Sequence, residues 1–232
     1  AMNAYAAAPT SWTGLYVGAH GGYAWGHLDG KLTYDPGTGP IYSIWDQPNQ
    51  TFNLNGWVGG VQAGYNWQIG AIVLGVEGDA AALGLSQTQT FTTTGGGVDW
   101  RIDTKLKGLE TLRARVGFAA GPVMLFATGG VALGHTEAKL TVTQCCLPPD
   151  NVTARGSARE AHVGYAIGGG AEWLLHPNVT IGVQYLYIDL GKADYHLKGT
   201  NYITDPDSPH TTDSFPADLT FQTVRGALNV KF

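Results

Sequence analysis

Charge is scarce in this sequence: Asp, Glu, Lys and Arg together make up 13% of 232 residues, against about a quarter in an ordinary soluble protein. No cluster of Lys or Arg exists, and the formal net charge is -5. Phosphate binding needs a basic stripe, so nucleic acid is not a partner. Cysteine is nearly absent as well. The two present, Cys145 and Cys146, are neighbours; they cannot staple a fold, and no His or acidic residues surround them at metal-binding spacing. A vicinal disulfide, pairing between molecules and two free thiols all stay open. Long hydrophobic runs are also scarce. Mean hydropathy of -0.06 is too low for a bundle of membrane helices, and the one uncharged stretch long enough to span a bilayer, Val116 to Gly134, contains Gly117, Gly121, Pro122, Gly129 and Gly130. It reads as two strands joined by a tight turn at Ala120-Gly121-Pro122. Residues 1–10 lack the charged and apolar regions of a signal peptide. The Ala-rich opening suits a chain cut after export, or a residue or two added in cloning.

Glycine (34 residues) and aromatics (11%) are abundant. Glycine suits turns and crowded barrel interiors, and aromatics suit membrane interfaces. The last nine residues alternate strictly, with Val224, Gly226, Leu228, Val230 and Phe232 on one face and Arg225, Ala227, Asn229 and Lys231 on the other. Seven earlier segments repeat that period of two. They start at Trp12 to about Trp25, Gly56 to Gln68, and Ile72 onward; then come Gly108 to Ala119, Val123 to about Leu133, Ala161 to Trp173, and the segment after His176-Pro177-Asn178. Three connections are short turns. Four read as long loops: Gly26 to Asn55, Ser86 to Lys105, His135 to Arg159, and Lys192 to Asp218. Strict alternation of short and long connections is the pattern of outer-membrane barrels, whose turns face the periplasm and whose loops face outward.

Height provides an independent check. A strand tilted about 45° climbs roughly 2.4 Å per residue, so an apolar band about 25 Å tall separates interface aromatics by some ten residues. Tyr65, Trp67, Phe118, Trp173 and Phe232 lie near the lower edge on outward positions, and Tyr23, Trp25, Trp57 and Tyr187 near the upper. The outward positions between them carry no charge. The predicted fold is all-β, a closed antiparallel eight-stranded transmembrane barrel spanning 12–232, with residues 1–11 as an N-terminal extension.

Trp12-Thr13-Gly14-Leu15-Tyr16-Val17-Gly18 resembles the first strand of the small OmpA-like surface antigens, eight-stranded outer-membrane barrels common in alphaproteobacteria that include porin-family and haemin-binding-type proteins. Gly168-Gly169-Gly170-Ala171-Glu172-Trp173, Pro177-Asn178 and Gln184 to Gly191 are similar to the same family. The resemblance covers the strands and not the loops. It implies an outer-membrane location in a Gram-negative bacterium, contact with outer-membrane lipid and lipopolysaccharide, and a surface-antigen role. It also implies a closing strand (Val224, Leu228, Val230, Phe232) read by the barrel-assembly machinery. Some members are haemin binders; here the seven histidines are dispersed, with His27, His196 and His210 as the loop-borne candidates.

The inward positions gather Glu77, Asp79, Arg113, Arg115, Arg225 and His20 at similar height, with Gln62 and Gln184. In an interior just wide enough for side chains, opposite charges pair. One reading is a selectivity filter for ions or small solutes. The other is a plug, and the near balance of charges favours it. Acyl chemistry would need Ser beside a His base. His135-Thr136-Glu137 offers only Thr, and Ser157 and Ser208 to His210 show no triad, so no catalytic residue, cofactor or metal site is assigned. A loop-bound partner and self-association remain open.

Overall fold

The computed structural model describes residues 11–30, 50–92, 98–144, 152–198 and 212–232. Eight antiparallel strands close into one barrel in sequence order. They are β1 (Gly14–Gly30), β2 (Gln50–Ile69), β3 (Ile72–Thr92), β4 (Val98–Ala120), β5 (Val123–Gln144), β6 (Val152–His176), β7 (Val179–Lys198) and β8 (Thr212–Lys231). β8 pairs with β1 from Tyr16↔Lys231 to Gly30↔Ala217, which closes the wall. The turns after β2 and β4 hold Gly70 and Gly121 at φ of 63° and 61°, a left-handed conformation that costs a residue with a Cβ about 1–2 kcal/mol.

Between the girdles, large apolar side chains face outward and are exposed: Leu15, Val17, Val61, Leu74, Val76, Leu112, Val116, Leu125, Val131, Val163, Ile167, Val183 and Leu228. Tyr23, Trp57, Trp67, Phe118, Trp173 and Phe232 are exposed at the rims, while Trp25, Tyr65 and Tyr187 are half-buried against aromatic neighbours. Tyr165 joins Tyr187 in the upper girdle, with ring centroids 6.4 Å apart.

The strands run further than the sequence pattern suggests, from 17 residues in β1 to 25 in β6, where about 9–11 residues suffice to cross a bilayer. Much of each predicted loop is strand: β1 continues to Gly30 and β2 begins at Gln50, and β3 and β4 leave only residues 93–97 between them. Likewise β5 reaches Gln144, β6 begins at Val152, β7 reaches Lys198 and β8 begins at Thr212. Above the girdle the alternation inverts, with Leu83 and Leu85 inward and Ser86 and Thr88 outward, and a search for outward apolar residues stops there.

The wall is continuous only as far as the membrane requires. β2 and β3 pair from Ile69↔Ile72 up to Val58↔Leu83, and β6 and β7 from His176↔Val179 up to Tyr165↔Asp189. Both seams therefore part at the upper girdle. Beyond it two four-stranded sheets project, one of β3–β4–β5–β6 and one of β7–β8–β1–β2. Within hydrocarbon every backbone N–H and C=O must pair inside the protein, whereas above it water can satisfy them.

Candidate functional site

Inward positions carry three layers. At the turn end, Trp12 lies ahead of β1 instead of opening it, 1% exposed and packed with Val73, Met124, Phe126 and Leu174. Its backbone N–H donates to Gln68 Oε1 (2.7 Å) and its indole N–H to the Gly121 carbonyl (3.4 Å), so it ties the ends of β2 and β4 across the barrel. At the loop end a second apolar layer fills the interior, with Leu54, Val58, Leu83, Leu85, Leu106, Leu109, Leu186, Ile188, Leu190, Leu219 and Phe221 all buried. A bulge at Leu106/Gly108 shifts the parity of β4 and lets Leu106 and Leu109 both point inward.

Between them lies a polar layer with three carboxylates (Glu77, Asp79, Glu172) and three guanidiniums (Arg113, Arg115, Arg225), all buried. Arg113 Nη2 donates to Glu77 Oε1 (2.7 Å) and to Asp79 Oδ2 (2.5 Å), and its Nε–H donates to Thr111 Oγ1 (2.9 Å). Arg225 reaches Asp79 through Nη1 (3.3 Å) and Nη2 (3.1 Å), and its Nε–H donates to Gln184 (2.8 Å). Arg115 bridges Glu172 Oε1 (2.6 Å) and Glu77 Oε2 (3.3 Å), with its guanidinium 4.1 Å from the centre of the Phe126 ring. His20 Nε2 lies 3.3 Å from Arg225 Nη1 and its Nδ1 lies 3.2 Å from Gln62 Oε1. Arginine can only donate, so Nε2 accepts and the proton sits on Nδ1.

The structure thus brings Glu77, Asp79, Arg113, Arg115, Arg225 and His20 into one connected layer. It adds two members that the sequence reading left out of the network. Tyr16 donates its hydroxyl proton to Glu77 Oε2 (2.6 Å) and accepts from Arg115 (2.9 Å), and Glu172 is the second carboxylate of Arg115. Even parity in β1 marks Tyr16 as inward. Its ring lies over Gly64, where a Cβ would sit 2.3 Å from the hydroxyl oxygen, so a side chain at that position displaces the tyrosine.

The closing-strand residues Val224, Leu228, Val230 and Phe232 face outward, Phe232 being 71% exposed, and the Phe232 N–H donates to the Leu15 carbonyl (2.8 Å). Thr136, set aside as a weak nucleophile, meets His162 inside the lumen, Oγ1 to Nε2 at 2.8 Å, with both residues buried. Cys145, Cys146, His210 and the side chain of His196 lie outside the described residues.

A closed, antiparallel, eight-stranded wall with an apolar exterior, two aromatic rims and a filled interior defines an integral outer-membrane β-barrel. Residues 1–214 match the family described as outer membrane protein beta-barrel domain, and the chain belongs to that family. It is 33% identical over 230 residues to the 31 kDa outer-membrane immunogenic protein of Brucella melitensis, covering 96% of this chain and 84% of the relative. It is 29% identical over 193 residues to the 22 kDa outer membrane protein of Rhizobium leguminosarum bv. viciae, covering 83% and 71%. Among solved structures it is similar to the outer membrane protein OprG from Pseudomonas aeruginosa, at 13% identity and TM-score 0.45, covering 95% and 96%. The chain is a Gram-negative outer-membrane surface protein, and the family resemblance read from Trp12–Gly18 and Gly168–Gly191 holds.

Proposed function

We propose that this barrel is a non-enzymatic surface-interaction protein whose lumen is sealed and whose working surface is the pair of sheets above the upper girdle. One observation carries the reading: a charge-balanced polar layer enclosed between two apolar layers. A conducting filter needs continuous water along its charged groups. Here Trp12 and its neighbours lie below the charges and the leucine layer above them. By the rule that short turns face the periplasm, the two sheets project outside the cell. An epitope inserted within 93–97, between β3 and β4, is expected to bind antibody on intact cells, and one inserted at Gly121–Pro122 only after the outer membrane is permeabilised. The opposite labelling would overturn the reading.

The closing strand supports a second part of this proposal, that Val224, Leu228, Val230 and Phe232 form the signal taken up by the assembly machinery. Phe232 combines a terminal aromatic with a lower-rim position. Deleting it should reduce outer-membrane levels more than Leu228→Ala does, as read by membrane fractionation. Equal levels of the two variants would refute the assignment.

A further inference from the structure

The cations whose side chains are described are unevenly placed. Among the described side chains, Arg113, Arg115 and Arg225 are in the lumen and Lys231 is at the turn end, where it donates to the Ser11 carbonyl. The remaining four, Arg101, Lys105, Lys107 and Lys139, all lie on the outer face of β4 and β5 above the apolar band, so strand pairing gathers a basic group where the sequence reading found no cluster. Three described carboxylates share this face: Glu110, 55% exposed with His135 Nε2 at 3.8 Å, at the foot of the group, and two among the cations themselves. Glu137 pairs with Lys107 (2.6 Å) and Asp103 with Arg101 (3.2 Å), but the acids are 17% and 25% exposed where their partners are 55% and 58%. Glu137 and Asp103 thus lie against the sheet with their cations further out, whereas Glu110 is as exposed as the cations and sits below them, next to Leu112. The register sets Lys105 opposite Glu137 and Lys139 opposite Asp103; among the described residues neither lysine is in an ion pair.

This patch continues an apolar wall. Among the described side chains, Leu112 and Leu133 are the last outward apolar residues of β4 and β5. Lys139 stands six residues beyond Leu133, about 14 Å higher at roughly 2.4 Å per residue, and a lysine side chain can reach back toward the interface. A vertical strip therefore presents Val116, Leu125, Val131, Leu112 and Leu133 below, Glu110 beside His135 at the boundary, and cations above, facing sideways into the bilayer plane.

We propose that the outer face of the β4–β5 hairpin is a seat for a phosphorylated glycolipid of the outer leaflet, its acyl chains on the apolar strip and its phosphates on Lys105, Lys107, Lys139 and Arg101. A membrane lipid fits this strip better than a soluble polyanion because the strip is two-part: a soluble polyanion has no use for the apolar half, which is buried in the membrane. The inference rests on the two sheets being outside the cell.

The test uses the full chain in nanodiscs, titrated with bisphosphorylated lipid A or with the same lipid dephosphorylated. The triple variant Lys105→Gln/Lys107→Gln/Lys139→Gln is compared with Lys231→Gln at the opposite end. Each lysine near an anionic surface contributes about a fivefold change in affinity, so the triple variant should bind lipid A about 100-fold more weakly. Binding should weaken with salt, and the dephosphorylated lipid should bind the wild type as weakly as the triple variant binds lipid A. Lys231→Gln should bind like the wild type, and retained heat-dependent gel mobility of the triple variant excludes misfolding. Unchanged affinity of the triple variant, or lysine-dependent binding of a soluble sulfated polysaccharide without lipid A binding, would overturn the proposal. If it fails while the 93–97 epitope stays accessible on intact cells, only the lipid seat is lost and the surface reading stands.

Discussion

Asp79→Ala is expected to destabilise the barrel by about 3–5 kcal/mol, the range for removing one partner of a buried ion pair. Among the described residues, Asp79 is the only carboxylate that Arg225 touches (3.1 and 3.3 Å) and one of two that Arg113 touches. Without it Arg225 keeps, among the described residues, only the neutral Gln184 and His20, and no described carboxylate compensates its charge. Arg113→Ala should cost less, because Asp79 keeps Arg225 and Glu77 keeps both Arg115 and Tyr16. Unfolding by urea in lipid vesicles, followed by gel mobility, measures both. Since replacing a buried pair by neutral groups of similar size is often close to neutral, Asp79→Asn combined with Arg225→Gln should recover part of the loss of Asp79→Asn alone. Strictly additive losses in that cycle would show that the two residues do not interact.

Trp12→Ala should cost about as much, roughly 3–5 kcal/mol, for a different reason. The indole is among the most completely buried side chains of the chain and fills the turn end against Val73, Met124, Phe126 and Leu174, so its removal leaves a cavity in addition to the lost burial. The Gly121 carbonyl also loses its indole donor. Trp12→Phe, which keeps most of the volume, should retain most of the stability. The same unfolding assay decides, and a loss below about 1 kcal/mol for Trp12→Ala would mean that the turn end collapses around the gap.

Where hydrocarbon surrounds the wall, the sequence is easy to read. Lipid on one side and a packed lumen on the other force period two, so the outward Val, Leu and Ile of each strand, both rims and the inward charges could all be assigned from alternation. Trp12 escaped because it sits just ahead of the alternating segment and was read as part of it. The upper halves of the strands escaped because water replaces lipid there. Leu186, Ile188 and Leu190 of β7, and Leu219 and Phe221 of β8, still alternate, but with the apolar side inward, and their polar outward neighbours resemble loop. The parity change at Leu106/Gly108 hides the pattern further. Tyr16 and Glu172 were legible as inward positions. Their place in the charge layer depends on Arg115 reaching across the lumen, with Tyr16 99 residues and Glu172 57 residues away in sequence.

The most direct test of a sealed lumen is planar-bilayer conductance of the purified wild-type barrel at neutral pH. The three stacked layers predict a silent membrane, and they predict that Trp12→Ala stays silent too, because the charge layer and the leucines above it remain in place. Steady, reproducible single-channel openings of the wild type that change in size with Glu77→Gln or Arg113→Gln would contradict the account, since ions would then be passing through the layer described here as closed.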